Sequence, residues 1–303
     1  MINIIATAAS TKQAEALLKV GVDTLYIGDN RFGLRLPTSM SIEEIEEVVK
    51  LAHHFGKKVH VAVNGIMHNE HIEELPKYLH DLHTAGIDAI TVGDPGVIML
   101  LKELNLEIPY IYDAHTLVTS ASQIQFWLKK GAIGAIVARE LTFIELKTIQ
   151  EKLLKPIEVQ VYGPTCIHHS KRSLLTNYYQ FADVHGKSST VRGTNISEQN
   201  DAEHQYSIYE DENGTHIFSA EDISLLPYFP QLYQARIVNW KMDGLFLPED
   251  TFTSIVQLFV QAKRELLSGN AAMEEYVAQL ERLQPKERAI GTGFFLKQPD
   301  EVQ

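Results

Sequence analysis

The chain has 303 residues, 45% of them hydrophobic and 22% charged, with a formal net charge of −12 and a single cysteine. That length holds one large domain with a substantial core, and the charge excludes a nucleic-acid field spread over the whole surface while permitting a local basic patch. One thiol excludes an intrachain disulfide and any four-thiolate zinc or iron–sulfur site built from this chain alone.

The N-terminal run Met1-Ile2-Asn3-Ile4-Ile5-Ala6-Thr7 lacks a basic segment followed by a long apolar stretch, so it reads as a first strand rather than a signal peptide. No apolar run is long enough to span a bilayer, and with one cysteine the expected location is the cytoplasm, with no membrane partner. Strands are predicted at Asn3–Ala6, Thr24–Gly28, Lys58–Val63, Ala89–Gly93, Tyr110–Tyr112, Ala135–Ala138, Glu158–Tyr162 and Asn239–Met242. Amphipathic stretches lie between most of them. Thr11–Lys19 opens one, and Ser41–Phe55 starts with a capping box, Ser41 and Glu44 three residues apart. His71–Ala85 places Leu75, Leu79 and Leu82 on one face. Gly21, Gly56, Gly86 and Gly131 follow helical runs, where a left-handed residue ends a helix most easily. Eight strands with intervening helices predict an α/β fold, a (β/α)8 TIM-like barrel. The open doubly wound sheet is disfavoured because no Gly-x-Gly-x-x-Gly follows the first strand.

The regularity breaks after Tyr162. About seventy residues separate that strand from the next, far more than a usual connection. This insertion, residues 163–238 of a single domain spanning 1–303, contains a predicted hairpin in which Tyr206–Tyr209 and Thr215–Phe218 flank the Asn213-Gly214 turn. Helices are expected at Pro248–Leu267 and Ala271–Leu283.

The most distinctive stretch runs from Glu158 through Tyr162-Gly163-Pro164-Thr165-Cys166-Ile167-His168-His169-Ser170-Lys171-Arg172-Ser173 to Asn177. It resembles the signature of the peptidase U32 family, with Gly163, Cys166, Arg172, Leu174, Leu175 and Asn177 on the pattern. The likeness extends along nearly the whole chain: Gly21-Val22-Asp23 leading to Tyr26 and Gly28, Asn64, Gly86-Ile87-Asp88, Asp94-Pro95-Gly96, Ala138-Arg139-Glu140-Leu141, Ser219 with Asp222, and Gly291-Thr292-Gly293-Phe294. The departures are equally specific. Ser173 replaces the second signature cysteine, Arg192-Gly193-Thr194-Asn195-Ile196-Ser197 carries none of the later thiols, and Asp243 with Leu245 replaces a glutamate and an arginine on the last strand.

The resemblance implies a cysteine-poor short paralogue of a prephenate-dependent tRNA hydroxylase that forms 5-hydroxyuridine at the wobble uridine. It implies tRNA and a four-cysteine U32 paralogue as partners, no cofactor bound by this chain alone, an iron–sulfur cluster in the partner, and prephenate as a ligand. The alternatives are a collagenase-like U32 peptidase and a non-catalytic structural partner of the four-cysteine chain.

Arg139 and Glu140 follow a strand, at the functional rim of a barrel, where a guanidinium suits a carboxylate ligand; the competing reading is an ion pair bracing the rim. Asn64, Asp94, His115 and Asp243 occupy similar strand ends, and Tyr162 closes the strand before the signature. Arg139, Glu140, Asp243 and Cys166 are the candidate catalytic set; Asn64, Asp94, His115 and Tyr162 are candidate ligand contacts. Cys166 beside His168 and His169 reads either as a reactive thiol or as a small half-buried residue. Adjacent histidines on an extended segment face opposite ways, so Cys166 with His168 is a poor metal site. Lys171, Arg172, Lys187 and Arg192, interleaved with Tyr178, Tyr179 and Phe181, form a candidate RNA-binding patch against the alternative of a solvated loop.

Overall fold

Runs of apolar residues at strand and helix periods alternate through the first half, and the computed structural model of the protein, which describes residues 1–184, 188–198, 201–269 and 272–301, turns them into alternating elements. The strands are β1 (Asn3–Thr7), β2 (Thr24–Gly28), β3 (Lys58–Val63), β4 (Ala89–Val92), β5 (Tyr110–Tyr112), β6 (Gly134–Ala135), β7 (Glu158–Ser170), β8 (Thr194–Glu198), β9 (Asp201–Asp211), β10 (Gly214–Ser224), β11 (Asn239–Met242) and β12 (Ala289–Gly291). The helices are α1 (Thr11–Val20), α2 (Ile42–His54), α3 (Asn69–Ala85), α4 (Pro95–Glu103), α5 (Ala121–Lys129), α6 (Phe143–Glu151), α7 (Leu174–Phe181), α8 (Phe229–Gln234), α9 (Glu249–Leu267) and α10 (Glu274–Leu283). Among the described residues no helix is long and apolar enough to cross a membrane.

Local chemistry accounts for the helix ends. Ser41 and Glu44 form the expected capping box, and Thr142 with Glu145 forms a second. Gly21, Gly56, Gly86 and Gly131 all take positive φ. Each helix turns its apolar stripe inward; α9 alone buries Phe252, Ile255, Val256, Phe259 and Val260.

One sheet carries all the strands, in the order β6-β5-β4-β3-β2-β1-β11-β7-β10-β9-β8, with β12 beside β10. The run from β6 to β7 is parallel throughout. It curls until its ends meet at a parallel bridge between Ile136 and Glu158, where the Val137 N–H donates to the Glu158 carbonyl at 3.1 Å. The molecule is thus an α/β protein with a curled, parallel-rich sheet. The seam is thinner than a regular barrel ladder. The run 135–138, expected as a full strand, is paired only at its start, because the Ala138 N–H turns to the Val118 carbonyl.

The insertion differs from expectation in one instructive way. The strand predicted to stop at Tyr162 continues to Ser170, so the distinctive cysteine–histidine segment is strand rather than loop. Its first half lies parallel to β11 and its second half antiparallel to β10, with His169 opposite His216 and Cys166 opposite Phe218. The β9–β10 hairpin turns at Asn213-Gly214 as the sequence indicates, but its arms are 11 residues each. The short helix α7 and strand β12 were not expected, and α10 begins at Glu274 rather than Ala271.

The insertion clamps the loop after β2. The Asn213 side-chain amide donates to the Asn30 carbonyl at 2.7 Å and to that of Gly33 at 3.3 Å. The Arg192 guanidinium donates to the carbonyls of Leu36 and Pro37 and lies over the Tyr209 ring. These contacts hold the residues on either side of Arg35.

Gly163 is the pivot between the halves of β7. Its φ is +110°, and a Cβ there would strike the Asp243 carbonyl. Gly163→Ala therefore combines left-handed strain with a backbone clash, and its urea unfolding midpoint should fall by the equivalent of about 2 kcal/mol or more. An unchanged midpoint would show that the pivot tolerates a side chain.

Candidate functional site

A cavity of about 590 Å³ opens where the parallel strands end, between the loops that follow them and the outer half of β7. Arg35, Asn64, Asp94, Asp113, His115, Arg139, Glu140, Cys166, His168 and His169 all contribute to its wall.

Three strand ends supply one hydrogen-bonded unit. Asn64, after β3, accepts from the Leu34 N–H at 3.0 Å and donates from Nδ2 to Asp113 Oδ2 at 2.7 Å and to the Tyr26 hydroxyl at 3.3 Å. Asp113, after β5, also accepts from the His115 N–H at 3.2 Å. His115 Nε2 lies 3.0 Å from the Asn64 carbonyl, and Nδ1 lies 2.6 Å from Arg35 Nη2. A guanidinium can only donate, so Nδ1 must accept and the proton sits on Nε2, donated to Asn64. His115 is therefore neutral. Burial, then the adjacent Arg35 charge, outweigh Asp113 and hold it down to about 4. Burial opposes ionisation of Asp113, but Lys241, the Asn64 hydrogen bond and Arg35 outweigh it and hold its carboxyl below the ordinary value. Arg35 and His115 both hold positive φ, at 56° and 53°, a strained backbone fixed by these contacts.

Arg139 stands apart from this unit. It lines the cavity, but no hydrogen bond or ion pair engages it among the described residues, and burial and then the charge of Arg35 press its guanidinium below its ordinary value. Glu140 is exposed at the same rim and does not pair with it, so the bracing ion pair is not formed. Two guanidiniums face one cavity; Asp113 and Asp243 act on Arg139 through their charge, but among the described residues neither arginine forms an ion pair, which leaves their planar forks open to an anion.

Below the cavity the interior remains polar. Lys241 lies 3.4 Å from the Tyr26 ring centroid, and burial lowers its pKa. Burial raises Glu158 to about 7 and also raises Asp243, whose Oδ1 accepts from the Leu245 N–H at 3.0 Å.

The sequence-derived candidates divide clearly. Asn64, Asp94, His115, Arg139, Glu140, Cys166 and His168 are brought together on the cavity wall, Asp94 also capping α4. Asp243 is buried and is not among the wall residues. Tyr162 points away from the cavity: its ring packs against Phe252 and Phe259 of α9 and its hydroxyl donates to Gln284. Lys171 and Arg172 are exposed, Arg192 spends its donors on the clamp, and Lys187 lies outside the described residues.

Arg35, Asp113, Asp211 and His216 were missed. His168 and His169 follow Cys166 in sequence, and its thiol donates to the His168 carbonyl at 3.2 Å, but the imidazole whose charge lowers it comes from the adjacent strand, His216. Pairing residues outward from the Asn213-Gly214 turn sets His216 opposite Tyr209, close to Asp211, and could have drawn attention to it.

The fold is an α/β one, a curled parallel sheet with a charged cavity at its strand ends. Residues 9–303 match Peptidase family U32, and the chain belongs to that family. It is 33% identical over 303 residues to "tRNA hydroxylation protein P2" of Bacillus subtilis, covering 97% of each chain, and 26% identical to "tRNA hydroxylation protein P1" of the same organism, covering 96% of this chain and 70% of that one. Among solved structures, a putative dihydrodipicolinate synthetase from Pseudomonas aeruginosa superposes with a TM-score of 0.51 at 9% identity, over 93% of this chain and 83% of that one, a likeness of fold alone.

Because protonated His115 would lose the Arg35 bond and add a second cation, its ring should stay neutral until about pH 4. The unfolded chain takes up that proton near pH 6.5, so the stability His115 contributes is present above pH 6.5 and is lost as pH falls toward 4. An NMR titration, with the resonance assigned by His115→Gln, should show this; a midpoint near 6.5 would contradict the tautomer.

Proposed function

We propose that this chain is one subunit of a tRNA hydroxylase, working with a four-cysteine paralogue to form 5-hydroxyuridine at the wobble position. The observation that carries this reading is the likeness to tRNA hydroxylation protein P2 over 97% of both chains. The match to P1 of the same organism supports a pair of related chains acting together.

The cavity's part in this reading is to hold a small anion. Arg35 and Arg139 present guanidiniums to it, and a planar carboxylate fits either one bidentately. Prephenate, with two carboxylates, has the charge the two arginines require. Neutral His115 fixes Arg35 in place and Asn64 fixes the loop behind it.

An iron–sulfur cluster does not fit this chain's own residues. The sequence holds one cysteine, and among the described residues no group of three or more His, Cys, Asp or Glu side chains is placed to hold a metal. In this reading the cluster belongs to the paralogue.

RNA contact is assigned to the segment after β7. Lys171 and Arg172 are exposed there, and Tyr178 and Phe181 of α7 are 60% and 91% exposed, which suits stacking on unpaired bases. Lys171 donates to the Glu212 carbonyl without losing its charge to a carboxylate.

The test is nucleoside mass spectrometry of tRNA incubated with the paralogue, with and without this chain. The 5-hydroxyuridine yield should depend on this chain; equal yields would remove it from the reaction. Lys171→Glu with Arg172→Glu should weaken tRNA binding by the complex and flatten its log–log salt slope by about 1 to 2. Both side chains are exposed, so the fold should survive, and an unchanged slope would assign RNA binding to the paralogue alone.

A further inference from the structure

The cavity wall contains a thiol with a buried acid–base pair behind it, and nothing described so far uses it. Cys166 is half-buried on the outer half of β7 and lines the cavity. His216 lies on the neighbouring strand β10, where His169 is opposite His216 and Cys166 is opposite Phe218, so the imidazole and the thiol belong to adjacent positions of one ladder, although no hydrogen bond joins them in this structure. His216 is fully buried, and its Nε2 lies 2.8 Å from Asp211 Oδ1. With Nε2 bound to the carboxylate, Nδ1 is the nitrogen left for the thiol, and Nδ1 is buried without a hydrogen-bond partner of its own. The ring is held in position. His169 stacks on it at 4.6 Å with an interplanar angle of 4°, and Tyr209 packs at 5.1 Å. His169 is held in turn by the Asn213 carbonyl, 2.9 Å from its Nε2. Asp211 is fixed by the Asn213 N–H at 2.8 Å. A thiol, an imidazole and a carboxylate in this order are the parts of an activated nucleophile.

We propose that Cys166 is a nucleophile of the cavity, with His216 as its base and Asp211 as the positioning residue, directed at a carboxylate-bearing carbonyl compound whose carboxylate is held by Arg35 and Arg139. The substrate class rests on the anion-binding reading of those arginines; the reactive thiol does not. The step is an addition. The sulfur–carbon bond forms, the carbonyl π bond opens, and the oxygen takes the proton that His216 removed from the thiol. Nothing is oxidised or reduced.

The charges around the thiol favour its ionised form. Burial opposes ionisation, but His216, Arg35 and Arg139 outweigh it and bring the thiol below its ordinary value. Burial likewise disfavours charged His216, and Asp211 and Cys166 outweigh it, with Arg35 opposing. His169 is pushed toward neutral, first by burial, and Tyr209 is held in its phenol form, first by burial, so neither competes for the proton. In the neutral pair the thiol instead donates to the His168 carbonyl at 3.2 Å, a bond given up on ionisation.

With a single cysteine in the chain, alkylation can be followed by intact-mass spectrometry without assignment. The full chain is treated with iodoacetamide from pH 5.5 to 9.5. The rate should level off well below the ordinary thiol midpoint of about 8.5. At pH 6.5, His216→Gln should lower it about tenfold, and Asp211→Asn should move the midpoint upward. A native profile with an ordinary midpoint, no modification of the folded chain, or a profile unmoved by His216→Gln would overturn the nucleophile. The native profile decides even where a variant fails to fold. Iodoacetate then tests the substrate class: its rate relative to iodoacetamide should exceed the same ratio for N-acetylcysteine by about tenfold, and Arg139→Leu should abolish that preference. A reactive thiol with no preference for iodoacetate would overturn the carboxylate-bearing substrate and the two-arginine reading while leaving the nucleophile standing.

Discussion

The structure depends on one strand that pairs in parallel along its inner half and antiparallel along its outer half within a single sheet. The inner half of β7 completes the curled parallel run, and its outer half is an arm of an antiparallel ribbon. A strand can change partners in this way only where the backbone bends, and Gly163, at φ +110° against the Asp243 carbonyl, is that bend. Everything above the strand ends follows from it. Cys166 is lifted onto the cavity wall, His169 comes into register with His216, and the insertion is placed so that Asn213, in the β9–β10 turn, and Arg192, just before β8, grip the loop carrying Arg35.

The cavity is correspondingly a product of distant parts of the chain. Asn64, Asp113 and His115 come from two strand ends and share hydrogen bonds that leave one tautomer of His115. Arg35 arrives from the loop after β2 and Arg139 from the β6–β7 seam. The two guanidiniums share the wall with Asp94, Asp113 and Glu140 in a chain of net charge −12, so the cavity suits a small planar anion held by the two forks rather than a general attraction to polyanions. Among the described residues no group of three or more His, Cys, Asp or Glu side chains is placed to hold a metal, and the Asp211–His216 pair, whose imidazole is on the strand beside Cys166, suits nucleophilic chemistry in the proposed reading.

Much of this was legible in the residues, and the parts that were not share a physical cause. Capping chemistry and left-handed glycines are local, so the Ser41 box and the Gly21, Gly56, Gly86 and Gly131 turns could be read directly. Strands buried on both faces announce themselves as apolar runs, and seven of the eight parallel strands begin where the sequence places them, β6 excepted. The extension of β7 through Cys166-Ile167-His168-His169 was hidden because its polarity resembles a loop, and only pairing with β10 makes it strand. Tyr162 was misplaced because the side of a strand a residue faces depends on register, which shifts between Lys241 and Met242. Arg35 has no local signal at all; its role comes from a bond to His115, 80 positions away.

The central claim is that Arg35 and Arg139 make the cavity an anion site. Calorimetric titration of the chain with prephenate, compared between the native protein and Arg139→Lys, tests it most directly. The substitution keeps the charge and removes the planar fork, so affinity should weaken about tenfold, or about 1.4 kcal/mol. Equal affinity in the two proteins, or no binding to the native chain, would contradict the account.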